Sequence, residues 1–176
     1  MTGLDVLLAG FGGQGVLFGG KVLAYAGMIE GKEISWLPAY GPEMRGGTAN
    51  CSVCISDEPI GSPLVTAPDI LVAMNLPSLD KFEDSVVPGG TIIVDSSIVG
   101  RRVARTDVNA VYVDASEMAE RNGLRGMANM ILVGRLFSVT GFCSAESLDL
   151  GIVKSVPARK ADKLDLNRRA VSLGME

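Results

Sequence analysis

The segment Gly10-Phe11-Gly12-Gly13-Gln14-Gly15 constrains this chain more than any other. It follows a short apolar run at 4–9, of the kind that forms a strand covered on both faces. A helix is predicted over 16–30, with Val16, Phe18, Val22, Leu23, Ala26 and Ile29 near one stripe and Gly31 as its stop. Strand, glycine loop and helix in that order open an α/β sheet. Gly19-Gly20 inside the helix costs about 1 kcal/mol per glycine against alanine, tolerable where another backbone packs close.

The rest of the chain keeps the alternation. Strands are expected at 33–37 (stopped by Pro38), 48–56, 69–75, 91–96 and 110–114. Helices are expected at 77–86, 115–122 and 127–140, from 144 with a Ser-x-x-Ser opening, and at 161–173. This pattern predicts one α/β domain over residues 1–176: a doubly wound, mostly parallel sheet with helices on both faces and a helical C-terminal end.

Read alone, the loop leaves several functions open. Its glycines permit a tight turn with positive φ, and a helix N-terminus with outward N–H groups favours an anion. A tight strand-to-helix turn at a protein interface needs the same glycines. A dinucleotide site would want an acid at the end of the second strand to hold the ribose. That strand ends Ser35-Trp36-Leu37-Pro38, and Glu30 and Glu33 fall at its wrong end. No phosphate-binding lysine follows the loop, where Val16-Leu17-Phe18 stand.

Charged residues make up only 20% of the 176. A surface short of charge is expected where a partner covers part of it, and a large core in a compact monomer is the alternative. Net charge is −4, which argues against nucleic acid. The basic residues clustered over 154–176 read as a solvated helix face. The N-terminus carries no basic leader, and no apolar run has the ~18 residues of a membrane span. Cysteines number 3 and histidines 0, which points to a reducing cytoplasm and excludes histidine catalysis or ligation.

Three segments in order then carry a resemblance: Leu8-Ala9-Gly10-Phe11-Gly12-Gly13-Gln14-Gly15, Ala39-Tyr40-Gly41-Pro42-Glu43-Met44-Arg45-Gly46-Gly47, and Pro88-Gly89-Gly90-Thr91 leading to Asp95-Ser96-Ser97. Together they resemble the gamma subunit of 2-oxoacid:ferredoxin oxidoreductases, most of all the 2-oxoglutarate enzyme. Pyruvate, branched-chain and indolepyruvate versions remain open. The resemblance implies a chain inactive alone, with no catalytic residue and no metal of its own. Alpha and beta subunits, and a ferredoxin-like delta subunit in some versions, would hold thiamine diphosphate with magnesium and the iron–sulfur clusters. Ferredoxin would accept the electrons and coenzyme A the acyl group. Gly12, Gly13, Gln14, Gly15 and Arg45 are the candidate contacts to coenzyme A or the active site. The sequence agrees in lacking a Gly-Asp-Gly…Asn thiamine motif and the four thiolates of a cubane cluster. An independent nucleotide-binding module and a purely structural interface domain are the rival functions.

Cys51-x-x-Cys54 lies in a predicted strand, where positions three apart face opposite ways, so buried filler is expected rather than a redox pair. Arg45, between glycines, suits a bidentate clamp on phosphate or carboxylate, or an ion pair with Glu43. Asp95-Ser96-Ser97 and Asn75 end strands where open sheets bind ligands, or cap turns. Met118, Met127 and Met130 are expected to pack, with a partner-facing role second. If strands one and three are parallel, both feed loops to the carboxyl edge, and the 39–47 loop must fold over that edge to meet the glycine loop. Freed of partners, the chain is expected to show an apolar patch and to pair as a symmetric homodimer.

Overall fold

The computed structural model describes residues 3–39 and 48–176. Among the described residues six strands form one sheet, β1 (Gly3–Phe11), β2 (Glu33–Ala39), β3 (Thr48–Ser56), β4 (Ile70–Ala73), β5 (Thr91–Asp95) and β6 (Asn109–Val113), in the order β2-β3-β1-β4-β5-β6. β1 pairs in parallel with β4, β4 with β5 and β5 with β6. β3 is antiparallel to both β1 and β2. Every strand but β3 therefore shares one direction, and the sheet is mixed rather than uniformly parallel.

This corrects the expectation for strand three. The reason lies in chain length. A parallel return needs a crossover of about a dozen residues or more, and only residues 40–47 separate β2 from β3. β2 also runs past Pro38, which sits opposite Cys51. An edge strand tolerates a residue that donates no N–H.

The helices are α1 (Val16–Ile29), α2 (Leu76–Phe82), α3 (Ser96–Val99), α4 (Ala115–Arg121), α5 (Ala128–Thr140), α6 (Ala145–Ser155) and α7 (Leu164–Met175), with single 3₁₀ stretches at Glu83–Ser85 and Ala158–Lys163. Strand alternation sorts the core in two. Leu4, Val6 and Leu8 of β1 point into a large cluster with Val22 and Leu23 of α1, Met130 to Val133 of α5, Leu148 of α6 and Val171 of α7. Leu7 and Ala9 point the other way, toward Leu79 of α2, Val86 and Val99 of α3. Burying each Leu of β1 contributes about 1.5–3 kcal/mol, which explains why β1 lies at the centre of the sheet. Met130 is fully buried, and Met118 and Met127 pack against the same cluster.

The glycines inside α1 have the close neighbour they require. A Cβ at Gly20 would overlap the sulfur of Cys51 on β3. Among the described residues, no helix is long and apolar enough to cross a membrane.

Candidate functional site

The site is built where β1 and β4 end side by side. β1 hands the chain to α1 on one face of the sheet, and β4 hands it to α2 on the other. Neighbouring parallel strands whose connections leave to opposite faces open a crevice at their carboxyl ends, the usual ligand position in doubly wound sheets. The glycine loop lies over this crevice. Gly12 and Gly13 at its apex are exposed, and Gly13 and Gly15 take positive φ of 94° and 75°.

The loop is held from two sides. Gln14 turns its amide inward: Oε1 accepts from the Phe11 N–H at 2.6 Å and from Asn75 Nδ2 at 3.1 Å, and Nε2 donates to the Met74 carbonyl at 3.0 Å. Its own N–H donates to the Phe11 carbonyl. From the other side, Nδ2 of Asn129, near the start of α5, donates to the Gly15 carbonyl at 3.1 Å. Asn129 is 6% exposed and stands so close that a Cβ at Gly15 would overlap its amide. Nothing in the sequence singled out Asn129. The usable signal is a lone asparagine entering an otherwise apolar helix, Met127-Ala128-Asn129-Met130-Ile131.

Two hollows flank the loop, and Gly126 lines both. One of about 200 Å³ lies between Gly13, Gln14 and Met74 on one side and Ser116, Ala119 and Ala128 on the other. The second, about 230 Å³, has Phe18, Met127, Val156 and Pro157 as apolar walls, Asn129 and Asn167 as polar lining, and Lys160 and Lys163 beside them. Gly15 belongs to its rim. Larger hollows of about 440 and 470 Å³ lie at the opposite, amino edge around Gly3, Ile55 and Ser56. They do not touch the glycine loop, and the one strand end they reach is that of the antiparallel β3, at the edge where the parallel strands begin, so they carry no functional argument.

The other sequence candidates fall into place differently. Asp95 is fully buried and caps two helices at once, accepting from the Ser97 N–H and hydroxyl and from the Ser116 N–H and hydroxyl. Asn75 caps α2 through Oδ1, which accepts from the Ser78 N–H at 2.9 Å. Asn75 also holds Gln14 in the crevice, whereas Asp95 ties the start of α3 to that of α4. Arg45 lies outside the described residues. Its segment is anchored at the right edge, because Thr48 is paired with Phe11 and Ala39 with Asn50. The antiparallel run of β3 thus sets Thr48 beside Phe11 of the glycine loop and Ala39 on β2 at the same edge of the sheet, where two parallel strands would have left the segment to double back.

Cys51 and Cys54 point to opposite faces. The Cys51 thiol donates to the Val16 carbonyl, and that of Cys54 to the Ser62 carbonyl. Burial pushes the thiols of Cys51, Cys54 and Cys143 up to about 12, so none offers a thiolate near neutral pH. No group of three or more His, Cys, Asp or Glu side chains among the described residues is arranged to hold a metal. A dinucleotide also loses its usual seat. The ribose-binding acid belongs on a strand directly beside β1 and parallel to it. Here the antiparallel β3 occupies that place, and Glu33 sits at the amino edge opposite Ser56.

Comparison with known proteins shows the family and the fold. Residues 5–176 match the family "Pyruvate ferredoxin/flavodoxin oxidoreductase". The chain is 43% identical over 171 residues to the ketoisovalerate oxidoreductase subunit VorA of Methanothermobacter thermautotrophicus, covering 97% of this chain and 35% of that protein. It is 37% identical over 175 residues to the 2-oxoglutarate synthase subunit KorC of Methanocaldococcus jannaschii, covering 98% and 92%. The chain thus spans about a third of the VorA relatives it matches and nearly all of KorC. The crystal structure of a keto/oxoacid ferredoxin oxidoreductase gamma subunit from Geobacter sulfurreducens superposes with a TM-score of 0.86 at 28% identity, covering 99% of this chain and 95% of that one. A 2-oxoglutarate:ferredoxin oxidoreductase from Magnetococcus marinus, solved with 2-oxoglutarate, coenzyme A and succinyl-CoA, shares the fold with a TM-score of 0.88 at 22% identity, covering 99% and 31%. The chain belongs to the pyruvate ferredoxin/flavodoxin oxidoreductase family and is of its gamma-subunit type.

Proposed function

We propose that this chain is the gamma subunit of a cytoplasmic, thiamine-dependent 2-oxoacid:ferredoxin oxidoreductase, and that its carboxyl-edge crevice forms part of the coenzyme A site. The reaction oxidatively decarboxylates a 2-oxoacid to its acyl-CoA, and two electrons leave singly to ferredoxin. Thiamine diphosphate with magnesium and the iron–sulfur clusters are assigned to the partner subunits; the buried, protonated thiols of this chain do not suit a cluster. Alpha and beta subunits, with a delta subunit in some assemblies, are the proposed partners.

One observation carries the coenzyme A assignment. An exposed Gly12–Gly13 apex stands at the N-terminus of α1, and Thr48, which follows the segment bearing Arg45, is paired with Phe11 beside it. Backbone N–H groups at a helix start and one guanidinium suit a long phosphorylated ligand. In this reading Gly12, Gly13 and Gly15 shape the backbone surface, Arg45 clamps an anionic group, and Gln14 serves from beneath. The Magnetococcus structure names coenzyme A as the ligand to test; it does not place it on this chain.

The test is Arg45→Ala in the assembled enzyme. Losing one charge-assisted contact of about 1.5–3 kcal/mol should raise the KM for coenzyme A about ten- to a hundredfold. Decarboxylation with one-electron reduction in the absence of coenzyme A should change far less. A parallel fall of both would move Arg45 to the thiamine site, and no change in either would leave the loop a subunit contact.

2-Oxoglutarate is the proposed substrate, supported by KorC relatives that the chain covers nearly end to end. A branched-chain 2-oxoacid is the second reading, favoured by the higher identity to VorA. Comparing kcat/KM of the native complex for 2-oxoglutarate and 2-oxoisovalerate separates them.

A further inference from the structure

We infer that Gln14 is a positioning residue which plugs the crevice between β1 and β4 and so turns the glycine loop into a rigid outer platform. The inference rests on the coenzyme A reading above only for its functional consequence. The geometry stands by itself. In a doubly wound sheet the crevice where connections diverge is the space into which a ligand can reach. Here the Gln14 amide occupies it and bridges the two strand ends, touching Phe11 of β1 and Met74 and Asn75 at the end of β4.

The orientation of that amide is fixed by its partners. The Phe11 N–H needs an acceptor and the Met74 carbonyl needs a donor, so Oε1 and Nε2 cannot exchange places. The absence of a side chain at Gly10 makes the room, since a Cβ there would stand 2.7 Å from Gln14 Oε1 and 3.0 Å from Met74 Cβ. The first glycine of the loop therefore serves Gln14. What is left facing outward is the Gly12–Gly13 apex.

Asn75 extends the plug. Its Oδ1 caps α2 while its Nδ2 holds Gln14, so the starts of α1 and α2 are tied through one pair of amides. Replacing Gln14 by Glu keeps an acceptor for Phe11 and Asn75 but sets a second carboxylate oxygen against the Met74 carbonyl. Replacing Asn75 by Ser keeps a capping oxygen for α2 and is too short to reach Gln14. The two variants loosen the plug from opposite sides, and neither removes a group that faces outward.

The experiment uses the assembled complex, with two readouts on wild type, Gln14→Glu and Asn75→Ser. The first is hydrogen exchange of the amides over 11–16, without coenzyme A. The second is the kinetics of acyl-CoA formation. Both variants should speed exchange over 11–16 at least about tenfold, with amides of the β1 and β5 interiors unchanged. KM for coenzyme A should rise about tenfold, while kcat at saturating coenzyme A falls less than about threefold. Exchange at the wild-type rate in both variants would overturn the positioning role. So would a fall of kcat in step with a lost melting transition, which would mark a purely structural residue. Faster exchange with an unchanged KM would uphold the positioning role and sink the coenzyme A reading of the loop instead.

Discussion

At the scale of single residues, the glycines of the loop are not interchangeable. Gly15 combines a φ of 75° with the Asn129 amide in the space a Cβ would need. Gly13 has a φ of 94° and open space around it. Left-handed backbone costs a side-chain-bearing residue about 1–2 kcal/mol. Gly13→Ala should therefore lose about that much in denaturant unfolding, and Gly15→Ala distinctly more, about 2–4 kcal/mol, because Asn129 must also move. Equal losses would mean that Asn129 yields freely. The cysteines make a second residue-scale prediction. Thiols raised to about 12 should resist alkylation at pH 8 in the folded chain, and all of them should react once it is unfolded. The glycine spacing and the strand position of Cys51 and Cys54 were legible in the sequence because each depends on local chemistry. The inward turn of Gln14 and the contact from Asn129 were not, since the partners come from β4 and α5 and only the folded sheet brings them near.

At the scale of elements, the chain's own patterning set most boundaries. β3 occupies 48–56 as its residues predict, and β1, α1, α4 and α5 depart by two residues or fewer at either end. α3 escaped notice because Ser96–Val99 is too short for any helical stripe, and it exists through the Asp95 cap. The direction of β3 was readable from the short 40–47 connection, a length argument that strand–helix alternation overrode. The 3₁₀ turn after α2 offers a pH test. Burial alone would raise the Glu83 carboxyl, but the Arg101 guanidinium and the N–H groups of Ala104 and Arg105 outweigh it and hold it below the usual carboxylate range. A carboxyl depressed in the folded state contributes stability above its ordinary pKa of 4.5, and that contribution is lost as pH falls through and below this value. Glu83→Gln should cost about 2 kcal/mol at pH 7 and flatten the decline of stability on acidification. An unchanged acid slope would show that Glu83 is not the group responsible. α7 gives a packing test. A Cβ at Gly174 would overlap the Ile131 carbonyl of α5, so Gly174→Ala should cost about 3 kcal/mol, read as a lower midpoint of unfolding.

At the scale of the whole molecule, the two cores are complete enough for the isolated chain to fold, yet it should neither decarboxylate a 2-oxoacid nor show cluster absorbance. Turnover by the pure, colourless chain would end the subunit reading. Met28 of α1, Leu150 and Val153 of α6 and Trp36 of β2 remain well exposed, so association of the isolated chain is expected, and a strictly monomeric profile at high concentration would count against a covered surface here. The antiparallel insertion of β3 also governs how the chain reaches this state. β1 emerges first, but the next strand in sequence, β2, is not its neighbour; among the described residues β1 pairs with β3 and β4. The short-range β2–β3 pairing closes the smallest loop in the sheet, and so at the least entropic cost. Folding should therefore nucleate on that hairpin with α1 docked upon it. Conservative truncations such as Val53→Ala should then slow refolding, with φ-values near 0.5–0.8, while Ile93→Val in β5 should mainly speed unfolding.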